Sequence, residues 1–274
     1  MIEILYAILI GIVQGLTEFL PISSTAHMTI VAKFLGTSAL SDPKLWTATM
    51  ATIQLGTLGS LLVFFRREIV SISGDLLSSI FHPNLRKAQN FHLGLMIILG
   101  SFPIFILGYL LKDFIEGSFT KNLWAISVSL IALALVLFIS ERVGKFRKSV
   151  NEITLADALI IGFAQALALI PGVSRSGATI SAGLFLNMKR DEAARFSFLL
   201  SIPAVFVSGL YEFATNFKLI VSQNLLFLII SLIFAFIFGL LAISFLLNFL
   251  KTKSTLVFVV YRIVLGLLII LWLV

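Results

Sequence analysis

The sequence predicts an all-α integral membrane protein. Six transmembrane helices and two re-entrant helix–loop–helix hairpins are expected, arranged as an inverted repeat in a single membrane domain. Three observations carry this reading. First, 59% of the 274 residues are hydrophobic and only 12% are charged, with mean hydropathy +1.09. Soluble domains run about 45–50% apolar and about 25% charged, so there is too little polar material here to cover a soluble fold. Second, six apolar stretches approach or exceed the roughly 18 residues needed to span a bilayer. Third, two further apolar regions are each broken by a proline and a Ser/Thr/Gly cluster. The same composition excludes a disordered chain, a collagen and a secreted disulfide scaffold. With no cysteine, disulfides, thiolate zinc sites and a cysteine nucleophile are excluded as well.

In chain order, the first broken region covers about 4–34 and carries PISSTAH at 21–27. Its opening, MIEILYAILIGIVQGL, has no basic n-region and no small-residue cleavage site, so it is not expected to be a cleaved signal peptide. Spans follow at about 46–65, 93–111 and 123–140. The second broken region covers about 157–187 and carries PGVSRSGAT at 171–179, and spans follow at about 196–213, 225–247 and 256–274. A broken helix frees backbone N–H and C=O groups that hydrocarbon cannot satisfy, so it belongs at membrane depth only when buried in protein or lining a cavity. Both broken regions are therefore expected to be re-entrant. They also resemble each other. Gly11, Gln14 and Leu16 recur as Gly162, Gln165 and Leu167 at a spacing of 151. After a one-residue slip, Pro21, Ser24 and Thr29 recur as Pro171, Ser174 and Thr179. This divides the chain into halves at about 1–142 and 152–274.

Basic residues orient the chain. The loops 66–92, 141–156, 188–195 and 248–255 hold thirteen of them: Arg66, Arg67, Arg86, Lys87, Arg142, Lys145, Arg147, Lys148, Lys189, Arg190, Arg195, Lys251 and Lys253. The alternate segments hold five: Lys33, Lys44, Lys112, Lys121 and Lys218. The positive-inside rule places the first set in the cytoplasm, which accounts for the net charge of +7 without a nucleic-acid partner. Three crossings per half invert the second half relative to the first. The first hairpin then enters from outside and the second from inside, and their breaks meet near the midplane, the plan of many transporters.

Few ionisable residues lie at membrane depth, and each is a functional candidate: Glu18 and His27 in the first hairpin, Arg175 in the second. Arg175 offers a forked, permanent charge suited to phosphate oxygens. Hydroxyls and free N–H groups at interrupted helix starts favour an anion, and Gly172 and Gly177 allow close backbone approach. Glu18 suits a divalent cation bridging phosphates, and Gln14, one turn earlier, shares its face. His27 suits general acid or base chemistry. The blander alternative is that Glu18 and Arg175 only neutralise each other in a scaffold, while Ser23, Thr25 and Ser181 satisfy freed carbonyls. Arg262, in the last span, is expected to pair with a buried acid or to act as a snorkelling end group.

QGLTEFLPISSTAH (14–27) and PGVSRSGATIS (171–181) closely resemble the two signature motifs of the undecaprenyl pyrophosphate phosphatase family associated with bacitracin resistance. The likeness extends over essentially the whole chain, including Tyr261–Arg262. It implies a metal-dependent membrane phosphatase that converts the C55 lipid diphosphate into the monophosphate carrier of wall synthesis. By position, the acidic motif falls on Gln14 and Glu18, the catalytic histidine on His27 and the serine nucleophile on Ser24. The phosphate-binding motif falls on Ser174, Arg175, Ser176 and Thr179. Ala26 departs from the common glycine, and Gln14, lacking charge, is the weaker metal ligand beside Glu18. The expected cofactor is Mg²⁺ or Ca²⁺. The expected partners are a polyprenyl diphosphate lipid, the membrane and a second copy in a homodimer. The pocket is expected to open to the outer face of the plasma membrane. Two routes stay open: Ser24 attacks the terminal phosphorus with His27 as base, or His27 activates water. The competing class is a flippase for the polyprenyl monophosphate.

Overall fold

The computed structural model describes residues 2–36, 42–84 and 88–274, and in these it is all-α, with no strand longer than an isolated bridge between Lys148 and Met188. Arg86 and Lys87 of the expected inner loop lie outside the described residues. The first broken region forms α1 (Ile2–Phe19) and α2 (Ser24–Leu35), and three long helices follow: α3 (Pro43–Phe64), α5 (Gln89–Leu110) and α7 (Leu123–Val143). The second broken region forms α8 (Leu155–Ala166) and α9 (Arg175–Phe185), and α10 (Arg190–Thr215), α11 (Phe217–Leu250) and α12 (Leu256–Leu273) follow it.

Seven of these helices among the described residues are long and apolar enough to cross a membrane. Six are the expected spans; the seventh is α1, the first arm of the first broken region, which reaches 18 residues. The chain is a multi-pass membrane protein, and large apolar side chains such as Phe206, Leu241, Val260 and Leu268 face outward, as lipid-facing surfaces require.

Two short helices lie where sequence suggested loops. α4 (Arg66–Phe81) occupies most of the expected loop 66–92, and α6 (Lys112–Glu116) follows α5. α4 is two-faced: Ile72 is buried and, with Leu76, packs over Gly94 of α5, whereas Val70, Leu77, Ile80 and Phe81 are exposed. The charges at its start, Arg66, Arg67 and Glu68, mask this pattern in the sequence.

The first arm of each broken region packs against a long helix distant in sequence: α1 along α11, and α8 along α5. Both contacts need glycine. A Cβ on Gly11 would stand 2.5 Å from the Ser231 carbonyl oxygen, and one on Gly162 would stand 2.1 Å from that of Gly100. Ser231 Oγ donates to the Ala7 carbonyl at 3.1 Å across the first contact. Small residues that bring backbones together are the ordinary glue of membrane helices.

Polar groups sort to the two ends. At one end Arg190 pairs with Glu141, whose other oxygen accepts from Thr255 Oγ1 at the start of α12, 2.8 Å away. Lys148 pairs with Asp157 and Arg195 with Glu68 at the same end. At the other end Lys112 donates to the Tyr211 hydroxyl at 2.7 Å, and Lys121 to Thr47 at 2.9 Å. The first end carries the loops assigned inside from their basic residues.

Candidate active site

The site is built on the two breaks. α1 stops at Phe19, ahead of Pro21, and the Ile22 N–H turns back to the Leu20 carbonyl at 2.7 Å. Proline has no N–H to continue a helix and pushes its predecessor out of helical geometry. α8 passes into one 3₁₀ turn at 167–169 and stops ahead of Pro171. Gly172 then has φ +88 and lies so close to α7 that an added Cβ would meet the Ile126 carbonyl oxygen at 2.4 Å. No other residue fits both demands.

Each second arm starts from a serine with positive φ. Ser23 (φ 74) caps α2, its side chain accepting from the Ala26 N–H. Ser174 (φ 70) caps α9, accepting from Gly177 N–H. Ser23 and Ser174 thus play the same part in the fold, and they stand 151 positions apart, whereas the prolines stand 150 apart: the second break holds one more residue between its proline and its cap. Ser24 and Arg175 are likewise 151 positions apart. Each is the first residue of its helix, and the two meet on one carboxylate.

That carboxylate is Glu18, 7% exposed. Its Oε1 accepts from Arg175 Nη2 in a close ion pair. Its Oε2 accepts from Ser24 Oγ at 2.8 Å and from Gln14 Nε2 at 2.7 Å. Helix starts are favourable places for an anion, so Glu18 occupies the position an incoming anion would seek. Gln14, Glu18, Ser24, Ser174 and Arg175 line the polar floor of a cavity of about 630 Å³. Its walls are largely apolar, with Met28, Trp46, Met50, Ile104, Phe105 and Val207. Lys112, Lys121, Tyr211 and Glu212 line it towards exposed Tyr109. A polar end on an apolar shaft suits a lipid with a charged head.

Three expected site residues do not line this cavity. His27 stacks on Tyr261 of α12 (ring centroids 5.6 Å apart), its Nε2 2.6 Å from the Tyr261 hydroxyl and its Nδ1 2.7 Å from the Ser23 carbonyl. Ser176 donates to the Leu20 carbonyl at 3.0 Å, joining the second break to the first. Thr179 is buried between the Arg175 carbonyl and Ser197 Oγ. Arg262 meets neither expectation. It is fully buried, and its guanidinium bonds four carbonyls and, among the described residues, no carboxylate. The lining residues Gln54, Lys112, Lys121 and Tyr211 carry no motif. The basic residues that bracket α6 were the one available signal.

For a divalent metal, the floor offers one carboxylate, one amide and the hydroxyls of Ser24 and Ser174. No group of three or more His, Cys, Asp or Glu residues capable of holding a metal exists among the described residues. Such a set does not make a protein-only cage. It fits an ion of the Mg²⁺ type, which is held by one or two carboxylates and takes further oxygens from a phosphate substrate.

The family model for the bacitracin resistance protein BacA matches residues 7–268. A protein named undecaprenyl-diphosphatase from Syntrophobacter fumaroxidans is 49% identical over 267 residues, covering 96% of this chain and 95% of its own. Proteins of the same name from Chlorobaculum parvum (47% over 269 residues; 95% and 93% covered) and a Nocardioides species (44% over 270 residues; 97% and 95% covered) are similarly close.

Proposed function

The chain belongs to the bacitracin resistance protein BacA family, and on that premise we propose that its cavity binds undecaprenyl diphosphate and removes the terminal phosphate. The products are the lipid monophosphate and inorganic phosphate. The activity is that for which its relatives are named. They are named for hydrolysis, not for transport. The observation that carries the reading is the meeting of Ser24, Glu18 and Arg175 at the starts of two helices, at the polar end of an apolar cavity.

In the resting site Glu18 neutralises Arg175. A phosphate competes for that guanidinium, whose fork it matches in charge and geometry, and binding it frees one oxygen of Glu18. Ser24 Oγ then attacks the terminal phosphorus and passes its proton to Glu18, the only carboxylate within hydrogen-bond reach of it among the described residues. The bridging P–O bond breaks, and the lipid monophosphate leaves. Water hydrolyses the serine phosphate, completing the cycle. A divalent cation held by Glu18, with Gln14 and Ser24, would offset negative charge on the phosphates. His27 holds the Ser23 carbonyl and thereby the turn that presents Ser24.

In this reading the two broken regions re-enter the membrane as hairpins, and the halves are inverted repeats. The basic end faces the cytoplasm and the cavity opens to the outer face, where the lipid diphosphate is recycled. The test is phosphate release by the purified protein in detergent, which leaves no bilayer to transport across. Release is expected with Mg²⁺ or Ca²⁺ and is lost on chelation. No release with metal present, or release that survives Glu18→Gln together with Arg175→Ala, would overturn the assignment.

A further inference from the structure

Arg262 lies inside α12, fully buried. Its Nε donates to the Leu130 carbonyl of α7 at 3.1 Å, and its Nη1 to the Pro21 carbonyl of the first break at 3.1 Å. Its Nη2 donates to the Gly172 and Val173 carbonyls of the second break, at 3.0 and 3.1 Å. One planar group therefore joins both breaks to a transmembrane helix. A buried charge without a counter-charge is among the most unfavourable features a fold can hold. A hydrophobic residue here would fill the space without that penalty, so the charge calls for a use.

The use follows from what adjoins the four carbonyls. Pro21 is three residues before Ser24, and Val173 is two before Arg175. Between them stand Ser23 and Ser174, whose positive φ values persist only where the surroundings over-determine them. The Arg262 fork is a part of those surroundings that both breaks share. If it were lost, the Ser176–Leu20 bond and the Glu18–Arg175 pair would be left to tie the breaks together, and the distance between Ser24 and Arg175 would no longer be fixed. We propose that Arg262 is a positioning residue for hydrolysis: it sets the distance between the attacking hydroxyl and the phosphate-binding guanidinium by holding the backbone of both breaks. This rests on the phosphatase reading above. Arg262 touches no substrate. It acts through Ser24 and Arg175, and only a planar fork with several donors reaches both breaks at once.

The experiment compares Arg262→Lys and Arg262→Gln with the wild-type chain in detergent, reading monodispersity, kcat and KM separately. Lysine keeps the charge but, as a single point, cannot bridge both breaks. Neither substitution alters the cavity walls that take the lipid tail or removes the Arg175 guanidinium, so KM is expected to stay within about threefold while kcat falls at least 30-fold in a monodisperse Arg262→Lys protein. A monodisperse lysine variant with kcat within threefold of wild type would overturn the proposal. So would failure of both variants to give monodisperse protein, which would make Arg262 a residue of the fold alone. If Arg262→Lys alone fails, Arg262→Gln is read by the same limits. An inactive wild-type protein would instead count against the phosphatase reading.

Discussion

Replacing Glu18 by glutamine removes one charge from the floor of the cavity while keeping the shape and an acceptor for Ser24. Arg175 is then left without its partner. The Glu18 side chain is 4% exposed and that of Arg175 is 15%, so little solvent screens the pair. Breaking a buried pair from one side destabilises by about 3–5 kcal/mol; the partial exposure of Arg175 favours the low end, about 3 kcal/mol. Arg175→Gln should also destabilise. The double variant carries neither charge and should recover most of the loss, so the coupling in a double-mutant cycle should be at least as large as the cost of one single variant, about 3 kcal/mol or more. Unfolding in detergent followed by intrinsic fluorescence reads this directly. Activity should behave in the opposite way. Each single variant and the double should lose about 10²–10⁴-fold in kcat, the range for removing a general base or a charge-stabilising donor. Recovered stability without recovered activity separates the structural role of the pair from its chemical one. A double variant no more stable than the worse single would refute the buried pair. A double variant within tenfold of wild-type activity would place the chemistry elsewhere.

Gly162→Val should destabilise by at least about 1–3 kcal/mol by forcing α8 away from α5, while Gly74→Ala on α4, where an added Cβ meets nothing within 4 Å, should stabilise by about 0.5–1 kcal/mol; thermal unfolding of the two variants side by side checks both. Gln165 is fully buried and neither polar atom of its side chain has a hydrogen-bond partner among the described residues, so Gln165→Met should leave activity unchanged and stability unchanged or raised by about 1 kcal/mol. A clear loss of stability would mean that a buried water holds the amide. In intact cells a membrane-impermeant thiol reagent should label Tyr109→Cys and leave Lys253→Cys unlabelled until the membrane is opened; the reverse pattern would invert the proposed orientation.

The long helices were legible because hydrocarbon imposes a length and a composition that few other constraints imitate. α4 was not, because its apolar residues are interleaved with serines, a glycine and Asp75, and three charges sit together at its start, so the segment reads as a basic loop. Glu18 and Arg175 stood out for the opposite reason: charges are rare at depth, and each had to have a partner or a task. The partner proved to be the other. Arg262 was equally visible as a charge, but its acceptors are main-chain oxygens, which leave no trace in the residue pattern. Expectation therefore supplied an acid that the fold does not use. For His27, nearness in sequence to the hydroxyl cluster gave its neighbourhood but not the side to which its ring turns, which depends on Tyr261, 234 positions away.

Under the two-repeat reading, the 151 spacing puts the chemistry where the repeats differ, on a scaffold where they agree. Gly11 and Gly162 each bring a first arm against a helix of the other half, and Ser23 and Ser174 each cap a second arm with positive φ. At the positions that carry the chemistry the halves part. Glu18 corresponds to Leu169, Ser24 to Arg175 and His27 to Ala178. Two glutamates meeting at one midplane would repel, and two arginines would leave a buried positive pair. Glu18 from one half with Arg175 from the other closes the site neutral, and still offers both a proton acceptor and a phosphate binder when substrate separates them. Gln165 fits the same history. It corresponds to Gln14, which donates to Glu18, but the residue four places after Gln165 is Leu169, and its amide is left without that acceptor. A symmetric scaffold thus supplies two strained helix starts facing each other, and its asymmetry turns them into a single site with one acid, one hydroxyl and one guanidinium.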